Sequence, residues 1–569
     1  MAKTVDIVVY GAGFAGVAAV AKAASNSPNA EIALIVPDPV PHNGSGSCLG
    51  GLGTIGGQNF FDIRKWNFDL VTKGSFSWWY RGGQHYGVDD MAALLQSDLD
   101  KYYPRITYYY GYDIVSIGWT SPAHITSVKL APIKRATDGN VIWESGEEIV
   151  NGTVFIDASD SGRLTQLSNF GGTAGRYDFP AQYLDADEKT SPGKGRQQAA
   201  TLMFKVTGVN KDYGNTSDLS IGDNDNNGVY SANGGTAAYK NKNGNIYKFN
   251  EKYGPNGFAI KPFNAAQDGP NSDEWWVNTL LVFNVDGRAY NRDRTGNSSK
   301  AFPSDMRSDY KTVDDAWVDA RDMINTDEFE NAIRDFPAFE NVKIVKKNGM
   351  PVVGEVLYLR ETIHSALSSS SRANGTENSN YALRANDCNE AGSSSSSGLD
   401  SRNYAKRIGL NFYFSDINAY KFEDLKDASG NYIWFNEVGQ KVRPDLDIHG
   451  DNPDLNLKQT PVNPVYVPYS ALATNFVYNL LIPGYASGMS SFAWAEGRTL
   501  PNLCVMGDAA GVAAAYAINN NIDPLNFSTT DIKNIQNTLK NSGVRLEKEL
   551  SNNVHIKNIT GWPKDHPVI

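Results

Sequence analysis

The stretch D-I-V-V-Y-G-A-G-F-A-G at 6–16 decides the fold. A short apolar run leads into Gly11, Gly13 and Gly16, and an alanine-rich segment follows them. The spacing G-x-G-x-x-G between a predicted strand and a predicted helix is typical of a dinucleotide-binding site. Gly11 permits the tight turn, Gly13 lets the backbone approach a pyrophosphate, and Gly16 lets helix and strand pack closely. The stretch therefore predicts a phosphate site at the N-terminus of the helix.

The composition is that of an acidic globular protein. Its 569 residues exceed what one hydrophobic core usually holds, so two lobes are expected. The formal net charge of -11 disfavours nucleic acid as a partner. No apolar run is long enough to span a bilayer, so no membrane partner is expected. Three widely separated cysteines provide neither a zinc spacing nor a disulfide framework.

The compartment and the oligomeric state stay open at this point. The N-terminus lacks the basic and apolar segments of a secretory leader. Several N-x-S/T triplets would suit an exported chain, but a sequence rich in Asn and Ser forms them by chance. They occur at Asn43, Asn151, Asn297, Asn374 and Asn558. We expect a soluble protein that is either cytoplasmic or exported with a leader absent from this sequence.

Two features after the first predicted helix fit a dinucleotide. Residues 31–36 predict a second strand, and Asp38 follows it near the position of the carboxylate that binds the adenosine ribose. The alternative is a loop aspartate that begins a proline-rich turn. Residues 39–57 form a glycine-rich loop whose backbone suits a close approach to a flat ligand, and Gln58 follows it directly.

The middle of the chain alternates helical and extended patterns. We predict helices at 88–103 and 313–336, a strand and hairpin at 106–143, and strands at 153–162, 196–208 and 275–285. The sequence D-N-D-N-N-G at 223–228 resembles the start of a calcium loop, but glycine stands where the loop needs glutamate. No metal site is therefore predicted.

The segment L-P-N-L-C-V-M-G-D-A-A-G-V-A-A-A-Y-A-I at 500–518 predicts a second ligand-facing unit. We interpret it as a strand, a turn at Gly507 and Asp508, and an alanine-rich helix. An aspartate in such a turn can bind a sugar-like hydroxyl, and the helix dipole favours partial negative charge on a ring. A final helix is predicted at 528–543, with Ser528 as its cap.

Arg360 and His364 are the leading catalytic candidates. Four residues separate them, so they share a face of either a strand or a helix. Arg360 could bind an anionic or carbonyl group while His364 accepts a proton. The alternative is a surface pair without catalytic function. Weaker candidates are His85, Arg81, Gln58 and Tyr469.

The motifs together resemble the FAD-dependent oxidoreductases of the glutathione-reductase type. The resemblance lies in residues 11–16, 50–54, 154–162 and 506–511. More narrowly, L-M-F-K-V-T-G-V at 202–209, Y-L-R-E-T at 358–362 and V-P-Y-S-A-L at 467–472 resemble a bacterial FAD-dependent oxidoreductase family, some of whose members are labelled xanthan lyase.

This resemblance implies an α/β fold with a Rossmann-like FAD-binding domain and a discontinuous, mixed α+β substrate-binding domain. The implied bounds are 1–175 and 465–545 for FAD, 176–464 for the substrate, and 546–569 for a tail. It assigns to FAD Gly11, Gly13, Phe14, Ala15, Gly16, Asp38, Gly51, Thr54, Gly57, Gln58, Ile114, Ala158, Ser159, Gly507, Asp508, Ala509, Gly511 and Val512. Proline at 37, where the family has an acid, departs from the pattern.

The expected activity is hydride transfer between non-covalently bound FAD and a small alcohol, amine or sugar-like substrate. One alternative is a flavin monooxygenase, although no separate NADPH fingerprint is evident. Another is a protein that holds FAD without turnover and works by binding a partner. Cys48 lies in the glycine-rich loop, which leaves a covalent flavin as a further alternative.

Overall fold

The computed structural model describes residues 2–39, 48–67, 69–80, 83–120, 123–168, 172–366, 381–442, 461–473 and 476–548. Arg81, residues 40–47 of the glycine-rich loop, and the triplets at Asn43, Asn374 and Asn558 lie outside these ranges. Two large sheets and a long helix organise the described residues.

The first sheet, here called the parallel sheet, combines strands from both ends of the chain. Its order is Leu480–Leu481, Val154–Asp157, Ile7–Tyr10, Ile32–Val36 and Ile106–Tyr110. All neighbouring strands run parallel, and Val9 lies level with Leu34 on one side and Ile156 on the other. The central strands are wholly buried, as expected when both faces of a sheet are covered. This order confirms the predicted Rossmann-like α/β fold.

A smaller sheet joins the N-terminal Lys3–Thr4 to strands that lie in sequence between Ile106–Tyr110 and Val154–Asp157. It contains Lys3–Thr4, Glu148–Asn151, His124–Arg135, Tyr112–Thr120 and Val141–Trp143. Its longest partners, Tyr112–Thr120 and His124–Arg135, pair antiparallel. The hairpin predicted within 106–143 is therefore confirmed.

The second large sheet, here called the antiparallel sheet, forms from the middle of the chain. Its order is Leu219–Gly222, Ser231–Gly234, Phe258–Gln267, Trp275–Val282, Phe204–Thr207 and Lys343–Ile344, with Ala200–Thr201 also paired to Trp275–Val282. Two-stranded pairs complete the described strands: Gly172–Ala174 with Ile363–Ser365, Lys346–Lys347 with Met350–Pro351, Arg407–Asn411 with Val465–Pro468, and Lys65–Trp66 with Asp69–Leu70.

Helices cover these sheets. They are Phe14–Asn26, Ser75–Trp79, Val88–Asp100, Arg163–Leu167, Thr236–Lys240, Asn245–Tyr253, Val313–Ile324, Asp327–Ile333, Ala385–Asn389, Asn436–Val442, Ser491–Gly497, Leu500–Asn520 and Thr529–Asn541. Phe14–Asn26 is called the first helix below, and Leu500–Asn520 the long helix. The last helix carries the predicted cap, because the hydroxyl of Ser528 accepts a hydrogen bond from the N–H of Asp531.

The strand and turn predicted within 500–518 are wrong. The long helix begins at Leu500, with Pro501 in its first turn, and continues through Gly507 and Asp508 without a break. A Cβ at Gly507 would overlap the carbonyl oxygen of Ala15, and one at Gly511 that of Ala19. These glycines therefore let the long helix pack backbone to backbone against the first helix. The strand from this end of the chain is Leu480–Leu481 instead.

Candidate active site

The turn between the strand Ile7–Tyr10 and the first helix forms an open cradle. At Gly11, where φ is +96°, a Cβ would lie 2.7 Å from the Cα of Ser159. At Gly16 it would overlap the carbonyl oxygen of Gly11. Gly13 differs, because a Cβ there would meet no atom within 4 Å. The first helix begins after Gly13 without a capping side chain, so its first N–H groups are available to an anion.

The cradle opens into a groove with a volume of about 820 Å³. Six of the predicted FAD residues line it: Gly11, Gly13, Asp38, Gly51, Ala158 and Ser159. The glycine-rich loop reaches the cradle because the N–H of Gly50 donates to the carbonyl of Ala12 at 2.8 Å. The opposite wall includes Tyr290, Arg292, Trp317, Leu357 and Leu359 from the rest of the chain.

Acidic and basic groups alternate along the groove. Burial, and then the neighbouring carboxylate of Asp160, raise the pKa of Asp38 to about 7. Burial, and then Asp157, raise the pKa of Asp160 to about 6. Arg135 lines the same stretch and donates through Nε to Glu355 at 3.1 Å. Both carboxyl groups therefore titrate near neutral pH, where a bound sugar or phosphate would alter their charge.

A smaller cavity of about 290 Å³ continues from Gly13 toward the long helix. Phe14, Ala15, Gly484, Tyr485, Leu500 and Leu503 are among its lining residues. Thr499, which precedes the long helix, makes no side-chain cap, and its hydroxyl has no hydrogen-bond partner among the described residues. The helix terminus that faces this cavity is thus the one at Leu500 and not a turn at Asp508.

A group of buried charges, here called the charged cluster, lies beyond the groove wall. It consists of Asp62, Lys261, Arg360, Asp416 and Arg498. Arg360 and Arg498 both donate to Oδ2 of Asp416, at 3.0 and 2.7 Å. Burial alone would raise the pKa of Asp416, but the two arginines outweigh it and hold that pKa at about 2. Asp416 is therefore ionised at neutral pH.

Asp62 occupies the other side of the charged cluster. Its carboxylate accepts hydrogen bonds from the Gln58 side chain and the Tyr413 hydroxyl, each at 3.2 Å. Burial raises the pKa of Asp62 despite the nearby Arg498. Although protein surrounds them, Asp62 and Tyr413 remain partly accessible, and Asp416 exposes 20% of its side chain. These groups are therefore accessible to a small polar ligand.

The segment Leu357 to Arg360 connects the groove to the charged cluster. Leu357 and Leu359 line the groove. The alternate residues serve the cluster, since Arg498 donates to the Tyr358 hydroxyl and Arg360 pairs with Asp416. Tyr485, which lines the smaller cavity, also interacts electrostatically with Tyr358 and Arg498. The charged cluster and the groove therefore share a wall only a few residues thick.

Several predicted FAD residues lie elsewhere. The N–H of Ile114 donates to Asp113 and its carbonyl accepts from Arg163, so its backbone has no free group for adenine. Thr54 donates to the Leu49 carbonyl, and Gly57 packs against the Trp276 ring.

The residues predicted to form the second ligand-facing unit are also buried away from the groove. Gly507, Asp508, Ala509, Gly511 and Val512 lie inside the long helix. Asp508 accepts hydrogen bonds from the Ser75 N–H at 2.9 Å and from the Ser75 hydroxyl. Its carboxylate ties the long helix to the segment at Ser75, and it does not present a hydroxyl-binding group to the groove.

The structure does not join Arg360 and His364 into a pair. Arg360 belongs to the charged cluster, whereas His364 is wholly buried in Ile363–Ser365. Neither ring nitrogen of His364 has a hydrogen-bond partner among the described residues. Burial lowers the pKa of His364 to about 3, with no charged group contributing. The imidazole is therefore neutral at physiological pH.

Of the weaker candidates that the structure describes, Gln58 touches the charged cluster, through Asp62. His85 pairs with Asp225 at 2.8 Å, and the Tyr469 hydroxyl donates to the Pro524 carbonyl. Asp225 belongs to the segment that resembles a calcium loop. No metal-holding group of acidic, His or Cys side chains occurs in the ranges that the structure describes.

The sequence analysis missed Asp62, Lys261, Asp416 and Arg498. These residues come from four distant segments and form no motif. It also missed Gly484, where a Cβ would lie 2.6 Å from the Ser159 carbonyl oxygen. Gly484 could have been noticed because it closely follows an apolar run. However, Gly507 also closely follows an apolar run, at 503–506, so this pattern does not tell the two glycines apart.

The groove fits FAD on three counts. A Cβ at Gly13 would fill the open cradle, so glycine leaves room for a pyrophosphate. The uncapped first helix offers N–H groups to it. Asp38 lies at the far end, where a ribose would present hydroxyls. Burial raises the pKa of the nearby Cys48 to about 12, so that thiol stays protonated at neutral pH.

Comparisons with solved structures return proteins of low similarity. A geranylgeranyl bacteriochlorophyll reductase-like protein of Thermoplasma acidophilum is 10% identical over 96% of this chain and 85% of that chain, with a TM-score of 0.34. The myxobacterial chondrochloren halogenase is 11% identical over 49% and 53%, with a TM-score of 0.25. The p-nitrophenol 4-monooxygenase of Pseudomonas putida is 8% identical over 54% and 66%, with a TM-score of 0.23. Likenesses at this level say nothing about the substrate.

A comparison with curated proteins found no match. In the described ranges, no helix combines the length and the apolar character needed to cross a membrane. The family described as FAD dependent oxidoreductase matches residues 6–366 and 436–539. Because this match spans most of the chain, the protein belongs to the FAD dependent oxidoreductase family and is an enzyme that uses FAD as its cofactor.

Proposed function

We propose that the enzyme transfers a hydride between non-covalently bound FAD and a small polar organic substrate held at the charged cluster. Bound FAD supplies the two-electron acceptor or donor for such a reaction. The residues of the chain bind and orient the substrate, keep bulk water away, and exchange a proton with it. The domain bounds and the individual FAD contacts given above belong to this proposal.

The observation that carries the proposal is the enclosed charged cluster directly behind the groove wall. Burying a charged group lowers the stability of a protein unless the group is paired. Clusters of such groups are therefore common at functional sites. Here the partly accessible Asp416 pairs with Arg360, which ends the Leu357 to Arg360 segment that lines the groove. A substrate at the charged cluster would lie beside a flavin in the groove. The protonated thiol of Cys48 supports a non-covalent cofactor.

Asp62 is the better placed of two candidate proton acceptors. Asp62 is partly accessible, and burial raises its pKa above the ordinary value of a carboxyl group. His364 remains the other candidate, since its lowered pKa keeps it in the neutral form that a base requires. However, the His364 ring is wholly buried, so a substrate could reach it only after local movement.

An anaerobic screen of the FAD-loaded enzyme with alcohols, amines and sugar-like compounds tests this function. We expect one class to bleach the visible flavin band. Asp62→Asn should slow the bleaching about 100-fold, as expected for loss of a general base, while His364→Gln should slow it less than about threefold. If His364→Gln slowed the bleaching more than Asp62→Asn did, His364 would be the base instead of Asp62. NAD(P)H consumption with oxygen insertion, or a flavin inert to every compound, would contradict the proposed hydride transfer.

A further inference from the structure

The charged cluster contains more cationic than anionic groups. Three basic side chains, Lys261, Arg360 and Arg498, face two acidic ones. Asp416 is ionised, and burial raises the pKa of Asp62. The described basic side chains outnumber the acidic ones, so one further negative charge would balance the charged cluster.

We propose that the charged cluster is a carboxylate-binding site and that the substrate is a small organic acid. This inference rests on the proposed function for its description of the ligand as a substrate. It replaces the broad class of alcohols, amines and sugars by molecules that carry a carboxylate close to the oxidisable carbon. The carboxylate would lie between the two arginines and Lys261.

Both arginines retain a hydrogen-bond donor for such a ligand. The Nε–H groups of Arg360 and Arg498 have no partner among the described residues, although both side chains are more than nine-tenths buried. A guanidinium presents its N–H groups in a planar fork that matches a carboxylate. Buried donors are rarely left unpaired, so these two indicate a missing acceptor.

Lys261 is the third cation of the site. It is almost wholly buried. Its Nζ donates to the Asn278 carbonyl at 3.3 Å and lies 5.7 Å from the Trp434 ring. Burial, followed by repulsion from Arg360, lowers the pKa of Lys261 to about 7. Asp416 and Asp62 oppose this lowering, and Arg498 adds to it. A bound carboxylate would raise that pKa and favour the ammonium form.

A fully paired buried arginine looks different from Arg360 and Arg498. Arg288 is a buried arginine outside the charged cluster, and each of its three guanidinium nitrogens has a partner. It donates to Asp286, Asp305 and the Gly193 carbonyl at 2.8–3.1 Å. Arg360 and Arg498 share one carboxylate oxygen instead. Arg288 therefore provides a matched control for a buried arginine with no ligand to bind.

The test titrates the wild-type, FAD-loaded enzyme with two matched pairs of probes: propionate with propionamide, and benzoate with benzamide. Calorimetry and the shift of the visible flavin band report binding without turnover. We expect the carboxylates to bind at least about tenfold more tightly than the amides, as charge-assisted bonds imply. Above about pH 7 their binding should take up a proton, because Lys261 must become charged. Equal binding of acid and amide, or no binding of either, would overturn the inference.

Two variants locate the site. Arg360→Lys keeps the charge but loses the planar fork, so carboxylate affinity should fall about tenfold. Arg288→Lys should change it less than about twofold. Equal effects of the two substitutions would place binding elsewhere and overturn the inference. If Arg360→Lys does not retain FAD, the comparison of acids with amides on the wild-type enzyme still decides.

The two proposals fail separately. If the carboxylates bind as expected but no compound bleaches the flavin, the hydride transfer is contradicted and the carboxylate site stands. If a neutral alcohol or sugar bleaches the flavin and the carboxylates do not bind, the carboxylate site is contradicted and the hydride transfer stands.

Discussion

Two glycine motifs, near opposite ends of the chain, look alike in sequence and serve different purposes. Gly11, Gly13 and Gly16 follow a strand and form an open cradle, where a Cβ at Gly13 would meet nothing. Gly507 and Gly511 lie within the long helix, where a Cβ would overlap the backbone of the first helix. The first motif leaves space for a ligand, whereas the second lets two helices pack closely together.

The difference teaches that a glycine must be judged by what its missing side chain would touch. Both motifs follow an apolar run and precede alanines, so local pattern does not separate them. The first helix supplies Gly16 to one motif, and Ala15 and Ala19 pack against the other. Its N-terminal end faces the groove while its side supports the long helix. Substitutions at Gly507 or Gly511 should therefore lower the stability of the protein, whereas substitution at Gly13 should lower its affinity for FAD.

The largest effect is expected from Gly511→Leu. Leucine favours a helix over glycine, so local propensity alone predicts a gain. The overlap with the Ala19 carbonyl should instead lower the free energy of unfolding by about 3 kcal/mol or more, because the two backbones must separate. Chemical denaturation of the FAD-free protein measures this. An unchanged or raised stability would show that the helices do not pack as described.

Gly13→Val should show the opposite signature. Its φ of -65° suits any residue and its Cβ meets open space, so the stability of the FAD-free protein should change by less than about 1 kcal/mol. FAD affinity should fall about 100-fold, or about 2.7 kcal/mol, because the side chain occupies the place of the pyrophosphate. Fluorescence titration with FAD measures the affinity. Full affinity would place the phosphates away from the cradle.

Asp508→Ala separates a structural from a ligand-binding aspartate. Removing the carboxylate leaves the buried N–H and hydroxyl of Ser75 without this acceptor, which should cost about 2 kcal/mol of stability. The FAD affinity of the folded protein should stay within about twofold of wild type. A large loss of affinity with stability intact would restore Asp508 to the FAD site.

The smallest effect concerns pH. Burial raises the pKa of Asp38 to about 7, so this carboxyl is mostly protonated at about pH 6 and ionised at about pH 8. The ionised form accepts stronger hydrogen bonds from the hydroxyls of a ribose than the protonated form does. FAD affinity should therefore rise about threefold to fivefold between these pH values. In Asp38→Asn this rise should be lost, and an equal rise in that variant would assign it to another group, such as Asp160.

Sequence reasoning succeeded where the determinants are local. The strand, turn and first helix of 6–26 follow from adjacent residues, and the parallel strands at 31–36 and 153–162 from their apolar runs. It failed at 500–518 because the run before Gly507 suits a strand or a buried helix equally well. Only the contact with Ala15 and Ala19, almost 500 residues earlier in the sequence, distinguishes the buried helix from a strand.

The candidate substrate site was out of reach for the same reason. Arg360 could be singled out because it lies in a recognisable segment, but its partners Asp416 and Arg498 are isolated in sequence. Asp62 and Lys261 join them only when the segment after the glycine-rich loop meets the antiparallel sheet. Ile114 failed differently, because Asp113 and Arg163 take up its backbone groups. A local sequence pattern predicts neither the ion pairs between distant segments nor the hydrogen bonds to the Ile114 backbone.

A crystal structure of the FAD-loaded enzyme tests the central claim most directly. The account predicts that the pyrophosphate accepts hydrogen bonds from the first N–H groups of the first helix, next to Gly13. It also predicts that the flavin ring lies against Leu357 and Leu359, with the charged cluster within a substrate's length. A pyrophosphate bound away from the Gly13 cradle, or a flavin ring remote from the charged cluster, would contradict it.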